Sequence, residues 1–129
     1  FINDFRLNNL SLNHPGGASG YRLEHNKKII CYLSDNEYRG TQFAELKDFV
    51  EGANIVIWDG MFTDKELQKK KGWGHSSIDE GINFFEKCDV ERLLITHHAP
   101  ERNDDQLDEI SAQLPEHVEL AFDGMSCKF

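Results

Sequence analysis

Along this 129-residue chain, segments in which hydrophobic residues recur every two positions or form short runs alternate with segments in which they recur every three or four positions. Residues 21–24 alternate with a period of two, residues 29–33 form an apolar run, and a polar turn at 25–27 separates them, which predicts a β-hairpin. Apolar spacings of three and four from Thr41 predict a helix, and Gly52 supplies its end. The apolar segment NIVIW that follows predicts a short buried strand.

The alternation of helix and strand then repeats. Ser77 stands three residues before Glu80, which predicts a capping box at the start of a second helix, and residues 92–96 predict the next strand. Between these units lies TDKELQKKKGWG, a long charged segment that we expect to be a loop with one helical turn after Thr63.

The last unit begins where Asn103 or Asp104 caps a third helix, which Pro115 is expected to end. HVELAF then closes the series as a strand. The predicted order is β-β-α-β-α-β-α-β, which favours one α/β sheet with helices on one face and later strands that pair largely in parallel.

Length and composition indicate one packed domain over residues 1–129, because 39% of the residues are hydrophobic. No apolar run approaches the ~20 residues that a membrane helix needs, so we expect no membrane partner. The balance of 14 basic and 23 acidic residues gives a net charge of −9, which makes the surface as a whole a poor partner for nucleic acid or anionic lipid. A local basic site remains open.

The three cysteines, Cys31, Cys88 and Cys127, are far apart and share no C-x-x-C spacing. They indicate neither a disulfide framework nor a cysteine zinc site, and a reducing cytoplasmic setting fits best. The chain begins with FINDFRLNNL, without an initiator Met or a signal-peptide pattern, so we expect sequence to precede it.

Polar side chains stand where the predicted strands end. Asp35, Asp59, His97 and His98 follow strands, and His14 lies in the Gly-rich segment before the hairpin. Imidazoles and carboxylates together suit a divalent metal at the carboxyl edge of an α/β sheet. Each also has a simpler interpretation, because aspartates form turns and histidines serve as ordinary polar residues, and their spacing forms no local metal signature.

His75 immediately precedes a predicted helix N-terminus, where backbone N–H groups favour an anion such as phosphate. A histidine there is suited to donate a proton to a leaving oxygen. The alternative is a polar residue of the capping turn. Lys69, Lys70 and Lys71 make the preceding loop basic, although such a run is commonly a solvated surface.

Three segments together, NHPGGASGYRLEHNKKIICYLSD, GWGHSS and LLITHHAP, resemble the C-terminal half of metallo-β-lactamase-fold hydrolases. The resemblance covers nearly the whole chain and is strongest to the phosphodiesterase and tRNA 3′-processing endonuclease branch. It implies the C-terminal half of an αββα sandwich, with a mixed sheet and helices on one outer face. It also implies a dinuclear metal site, with zinc expected and manganese or iron as alternatives.

By this resemblance, His14 is a ligand of one metal, His97 is a ligand of the other, and Asp35 bridges both. His75 matches the histidine that contacts the scissile phosphate and assists the leaving group. We therefore expect His75 and Asp35 to be catalytic.

Two further residues receive weaker assignments from the resemblance. His98 aligns with no ligand, and its place beside His97 implies support of a ligand or a substrate contact. Asp59 stands where the endonucleases carry an acidic residue, but the surrounding segment here is WDGMF, so an orienting role toward His75 is left open.

The family signature H-x-H-x-D-H, which belongs to the N-terminal half, is absent from these 129 residues. Each metal would then have two protein ligands from this chain, whereas catalytic zinc keeps about three. We therefore expect the chain alone to be inactive. Its expected partner is an N-terminal half, supplied by upstream sequence, a cleaved fragment or another chain, and a homodimer is an alternative.

The leading hypothesis is a metal-dependent hydrolase that acts on a small phosphodiester or nucleotide substrate. One alternative is a non-catalytic or truncated module with the same fold. Another is a receiver-like phosphoacceptor domain, because NIVIWDGMF looks like the strand and aspartate of bacterial receivers. The acidic pair after the first strand and the lysine after the last strand of receivers are missing, however.

Overall fold

The computed structural model describes residues 4–128, which form one sheet and the helices that cover it. The strands are β1 (Arg6–Leu12), β2 (Ala18–His25), β3 (Lys28–Leu33), β4 (Ala53–Asp59), β5 (Val90–Thr96) and β6 (Val118–Leu120). The helices are α1 (Phe43–Val50), α2 (Asp64–Leu67), α3 (Ile78–Phe85) and α4 (Asp104–Ser111), with a 3-10 turn at Gly40–Gln42.

The six strands lie in the sheet in the order in which they occur in the sequence. β2 pairs antiparallel with β1 and β3, whereas β3 to β6 pair in parallel. This confirms the predicted mixed sheet with later strands in parallel. It also excludes the receiver-like alternative, because that fold has a strand order that is not sequential.

β1 was not predicted, because its segment RLNNLSL places two asparagines between its apolar residues. Asparagine is depleted in strands, and the adjacent pair hides the period of two. The alternation is nevertheless present in the structure, because Leu10 and Leu12 face the core while Leu7 lies on the opposite face.

The ends of several elements depend on local chemistry. Asn26 and Lys27 join β2 to β3 with φ of 49° and 65°, as a two-residue hairpin turn requires. The predicted capping box is present, since the Ser77 hydroxyl accepts a bond from the Glu80 N–H at 3.0 Å. α4 ends at Ser111 rather than at Pro115, because the chain already turns before the proline.

Three helices, α1, α3 and α4, pack on the same face of the sheet, as predicted. The largest core side chain, Trp58, is 1% exposed and stacks on Phe84 of α3 with ring centroids 5.2 Å apart. Its indole N–H donates to the Ser77 carbonyl at 3.1 Å, so this contact also holds the start of α3 against β4.

The opposite face of the sheet is apolar but has no helix on it within residues 4–128. Tyr21 and Tyr32 are cross-strand neighbours there and are 45% and 43% exposed, and Leu7 is 43% exposed. Strand register places Leu23, Ile30, Ile55, Ile57 and Leu94 on the same surface, which we call the open face. No helix in the described chain is long and apolar enough to cross a bilayer.

Candidate metal centre

The polar residues predicted from strand ends meet at one edge of the sheet. β3, β4 and β5 are parallel neighbours, so their carboxyl ends reach the same edge. Asp59 is the last residue of β4, His97 directly follows β5, and Asp35 lies two residues beyond β3. Parallel pairing therefore brings together side chains that are up to 62 residues apart in the sequence.

Asp35 and His97 form the closest pair of the set outside the His75 contact. The Nδ1 atom of His97 lies 3.0 Å from Oδ1 of Asp35, and both residues adopt left-handed φ, 61° and 52°. Residues other than glycine seldom adopt this conformation, which costs of order 1 kcal/mol or more and occurs preferentially at functional sites. The backbone is thus bent at both positions so that the two side chains converge.

His14 approaches Asp35 from the loop between β1 and β2. Its Nε2 atom lies 3.9 Å from Oδ2 of Asp35, the carboxylate oxygen that does not face His97. The loop is held by Asn36, whose Oδ1 accepts a bond from the Asn13 N–H at 2.9 Å. Asp35 therefore lies between two imidazoles, with one carboxylate oxygen toward each.

His75 is held by Asp59. The Nδ1 atom of His75 lies 2.7 Å from Oδ2 of Asp59, which also accepts a bond from the Asn36 N–H at 3.2 Å. Oδ1 of Asp59 accepts from the Met61 N–H at 3.3 Å, so both carboxylate oxygens are engaged. Burial raises the pKa of the fully buried Asp59 carboxyl, and the bond from His75 opposes that effect. The contact between Asp59 and His75, which the sequence left undecided, is thus present in the structure.

The His75 ring lies among the other imidazoles. Its centroid is 4.6 Å from that of His97 and 5.5 Å from that of His14. With Nδ1 bonded to Asp59, a neutral His75 has its proton on Nδ1 and a free Nε2, and a cationic one can donate from Nε2.

A loop contact that the sequence did not indicate fixes the approach to His75. Oε2 of Glu37 accepts bonds from the Gly72 N–H at 2.7 Å and the Gly74 N–H at 3.0 Å. Gly74 has φ of 93°, and a Cβ at this position would overlap the ring of His14. The GWG segment was visible in the sequence, but nothing in the sequence indicated that a glutamate 35 residues earlier would bind it.

The donor set fits a divalent cation. Donor atoms of Asp35, Asp59, His75 and His97 all lie within 4.8 Å of one another. Because both oxygens of Asp59 are already hydrogen-bonded, Asp35 and His97 are the better placed ligands of this group. Mixed imidazole and carboxylate donors suit zinc, manganese and iron. His14 extends the set on the other side of Asp35.

His98 lies outside this group of converging donors. Its Nε2 atom is 2.8 Å from the Ala121 carbonyl oxygen, so its ring is tied to the chain that follows β6. This contact joins the end of β5 to the segment after β6, and the expected support of His97 by His98 stays a prediction.

Comparison with known proteins agrees with this architecture. Residues 5–98 match the family described as the β-lactamase superfamily domain. The chain is similar to human tRNase Z, short form, at 23% identity and a TM-score of 0.74, covering 97% of this chain and 43% of that one. It is similar to the metallo-β-lactamase fold protein YhfI from Bacillus subtilis at 22% identity and a TM-score of 0.78, covering 97% and 50%.

A third similar structure is a diphosphatase of the PhnP family, at 21% identity and a TM-score of 0.75, covering 100% of this chain and 45% of that one. The chain thus spans half or less of the length of these structures. No curated protein matches the sequence significantly. The match over residues 5–98 and the shared architecture lead to one conclusion: the chain belongs to the β-lactamase superfamily and has the metallo-β-lactamase fold.

Proposed function

We propose that the protein is a metal-dependent hydrolase of phosphodiesters, and that this chain supplies the acid and part of the metal site. The observation that carries the proposal is the arrangement of His75, held by buried Asp59 and placed beside the Asp35–His97 pair. A proton donor next to a set of metal-ligating side chains is the combination that hydrolysis with a poor leaving group requires.

The geometry around Asp35 supports the ligand roles that the resemblance implies. Asp35 would be shared by two divalent ions, since its two oxygens face different imidazoles, and His14 would be a ligand of one ion and His97 of the other. Zinc is the expected metal, with manganese and iron as alternatives. When bound, such ions supply positive charge that activates water and neutralises the phosphoryl oxygens.

His75 is assigned as the general acid. Asp59 holds Nδ1 and stabilises the charged ring, so Nε2 is the atom that delivers a proton to the leaving oxygen. In this pair, the Asp59 carboxylate orients the ring and the His75 imidazole reacts. The His75 ring cannot rotate without breaking its 2.7 Å contact with Asp59.

Completion of the site by a second half is part of the proposal. His14, Asp35 and His97 give each ion two protein ligands, about one fewer than catalytic zinc keeps. The open face exposes Leu7, Tyr21 and Tyr32, whereas folded proteins seldom leave a large apolar patch uncovered. Both observations support an N-terminal half, in the same chain or in another, that covers the open face and brings the remaining ligands.

The test uses the protein with both halves, loaded with zinc, and two diesters that differ in the leaving group. Methyl 4-nitrophenyl phosphate releases a phenolate that leaves without a proton, whereas glycerophosphocholine releases an alkyl alcohol that needs one. His75→Asn is expected to lower kcat for glycerophosphocholine by roughly 10²- to 10⁴-fold. The loss for the nitrophenyl ester should be much smaller, and the zinc content should stay unchanged.

His117→Asn is the matched control, because His117 is a surface histidine outside the metal centre with φ of 66°, which asparagine tolerates. If kcat falls equally for both esters, His75 is not the general acid. If neither ester is hydrolysed by the zinc-loaded protein, the non-catalytic alternative replaces the hydrolase.

A further inference from the structure

The loop before His75 carries Lys70, a lysine that pairs with no carboxylate among the described residues. The Lys70 ammonium forms no ion pair within residues 4–128, and it lies 4.0 Å from the ring centroid of Trp73 and 5.8 Å from that of Phe62. Its neighbour Arg102, in contrast, is paired with Glu66 at 2.8 Å. Lys70 is therefore a cation held in place by aromatic rings, with its charge available to an anion.

Trp73 is exposed although its backbone is fixed. The indole is 57% exposed, whereas Trp58 is 1% exposed. The bonds from Gly72 and Gly74 to Glu37 hold the loop on both sides of Trp73, and the Trp73 N–H donates to the Lys70 carbonyl at 3.2 Å. A large apolar ring is thus presented to solvent from an anchored loop, with the Lys70 ammonium over one face.

The Lys70–Trp73 pair adjoins the proposed acid. Trp73 is two residues from His75, and Phe62, which Lys70 contacts, lies edge-on to the His75 ring with centroids 6.3 Å apart. Phe62 and Lys70 also line a cavity of about 280 Å³, together with Arg102 and two carboxylates, Glu66 and Glu101. Phe62 therefore links the Lys70–Trp73 pair to the His75 side of the metal centre.

Local charge in this loop opposes the charge of the whole chain. The net charge is −9, yet residues 69–71 are consecutive lysines immediately before the exposed tryptophan. Proteins that bind single-stranded nucleic acid commonly combine exposed aromatic rings, which stack on bases, with basic side chains, which meet the phosphates.

We infer that Lys70 and Trp73 form a subsite for the nucleotide portion of the substrate, with the base stacked on Trp73 and its phosphate at Lys70. The inference rests on the proposed function, because the phosphate held at Lys70 belongs to the diester that His75 acts on. It narrows the substrate class from phosphodiesters in general to those that carry a nucleobase.

The experiment measures binding rather than turnover, in the protein with both halves. Uridine 5′-monophosphate and ribose 5-phosphate share the sugar phosphate and differ by the base. Calorimetry should give a Kd roughly 10-fold lower for uridine 5′-monophosphate. Trp73→Ala should abolish that difference, Trp73→Phe should retain it, and Lys70→Met should weaken both ligands.

Fluorescence supplies an independent readout. Uridine 5′-monophosphate should quench emission that is lost in Trp73→Phe, while the buried Trp58 does not respond. Lys65→Met is the control for Lys70→Met, because Lys65 lies exposed on α2 of the same loop region. Its affinities should equal those of the unmodified protein.

Two results would overturn the inference. One is equal affinity for the two ligands, and the other is shielding of Trp73 from acrylamide in the ligand-free protein, which would show that the second half covers it. Failure of the proposed function looks different, since diester hydrolysis would be absent while the preference for the base remained.

Discussion

His75 Nδ1 lies 2.7 Å from Oδ2 of Asp59, and Asp59 has no solvent exposure. Asp59 comes from the end of β4 and His75 from the turn before α3. The bond from Trp58, one residue before Asp59, to Ser77, two residues after His75, fastens these two elements together. The orientation of the histidine is therefore set by the core of the domain rather than by the loop alone.

Asp59→Asn is predicted to lower turnover without loss of fold. The amide keeps the volume but does not stabilise a charged His75, so kcat for glycerophosphocholine should fall by about 10- to 100-fold. Because an amide accepts hydrogen bonds through one oxygen only, its NH2 group would face the N–H of Met61 or Asn36, and the free energy of unfolding should fall by about 1–3 kcal/mol. Steady-state kinetics and urea unfolding measure the two effects, and a larger loss of stability would contradict the assignment.

Glu37→Ala is predicted to loosen the loop that precedes His75. Two backbone N–H groups lose their acceptor, at a cost of about 1–3 kcal/mol. Local opening then exposes residues 69–71, and tryptic cleavage at these lysines should accelerate roughly 5- to 100-fold. Mass spectrometry locates the cuts, and Glu45→Ala, an exposed change on α1, should leave the cleavage rate unaltered.

Gly74→Ala is predicted to disturb the metal centre through His14. A Cβ at this position would lie 2.6 Å from Pro15 Cδ and overlap the His14 ring, in addition to the backbone cost at φ of 93°. Gly72→Ala has a comparable φ of 87° and meets no atom within 4 Å, so it reproduces the backbone cost alone. Zinc affinity, measured by competition with a chelator, should fall in Gly74→Ala and stay near normal in Gly72→Ala.

Tyr32→Lys is predicted to reduce association through the open face. Tyr32 is 43% exposed, so the change should cost the 129-residue chain little stability. The chain produced alone should self-associate at high concentration, and Tyr32→Lys should shift it toward the monomer in sedimentation experiments. Phe122→Lys removes an exposed aromatic ring outside the sheet and serves as the comparison. An identical shift in both variants would show that the open face is not the contact.

Cys31 and Cys88 are predicted to react slowly with iodoacetamide at pH 8. Burial raises the pKa of each thiol to about 11, so the reactive thiolate is a fraction of roughly 10⁻³ at that pH. The rate at half-buried Cys88 should rise about 10-fold per pH unit up to pH 10, because the thiolate population rises by that factor. Cys31, with 0% exposure, should stay unmodified until the chain unfolds.

The sequence was sufficient for the parts of the fold that local chemistry determines. Ser77 and Asn103 cap helices as predicted, and the parallel strands follow from alternation of helix and strand. β1 was not predicted, because Asn8 and Asn9 have low strand propensity. The strand is stabilised by its pairing with β2, which the local sequence does not show.

The sequence was sufficient to predict which residues form the candidate site, but not how they contact one another. Strand ends pointed to Asp35, Asp59 and His97, whereas the link from Asp59 to His75 depends on two elements whose relative position the core decides. Glu37 was missed for the same reason, since one carboxylate that bridges Gly72 and Gly74 leaves no periodic or motif signal.

The sequential order of the strands has a consequence for the order of folding. Each strand pairs with the one before it, so the sheet can grow by closing one connection after another as the chain emerges, the longest of them residues 60–89. His97 meets Asp35 only after β4 has been inserted between β3 and β5. Ligation thus belongs to the end of the pathway, and a metal ion would stabilise a sheet that has already formed rather than nucleate it.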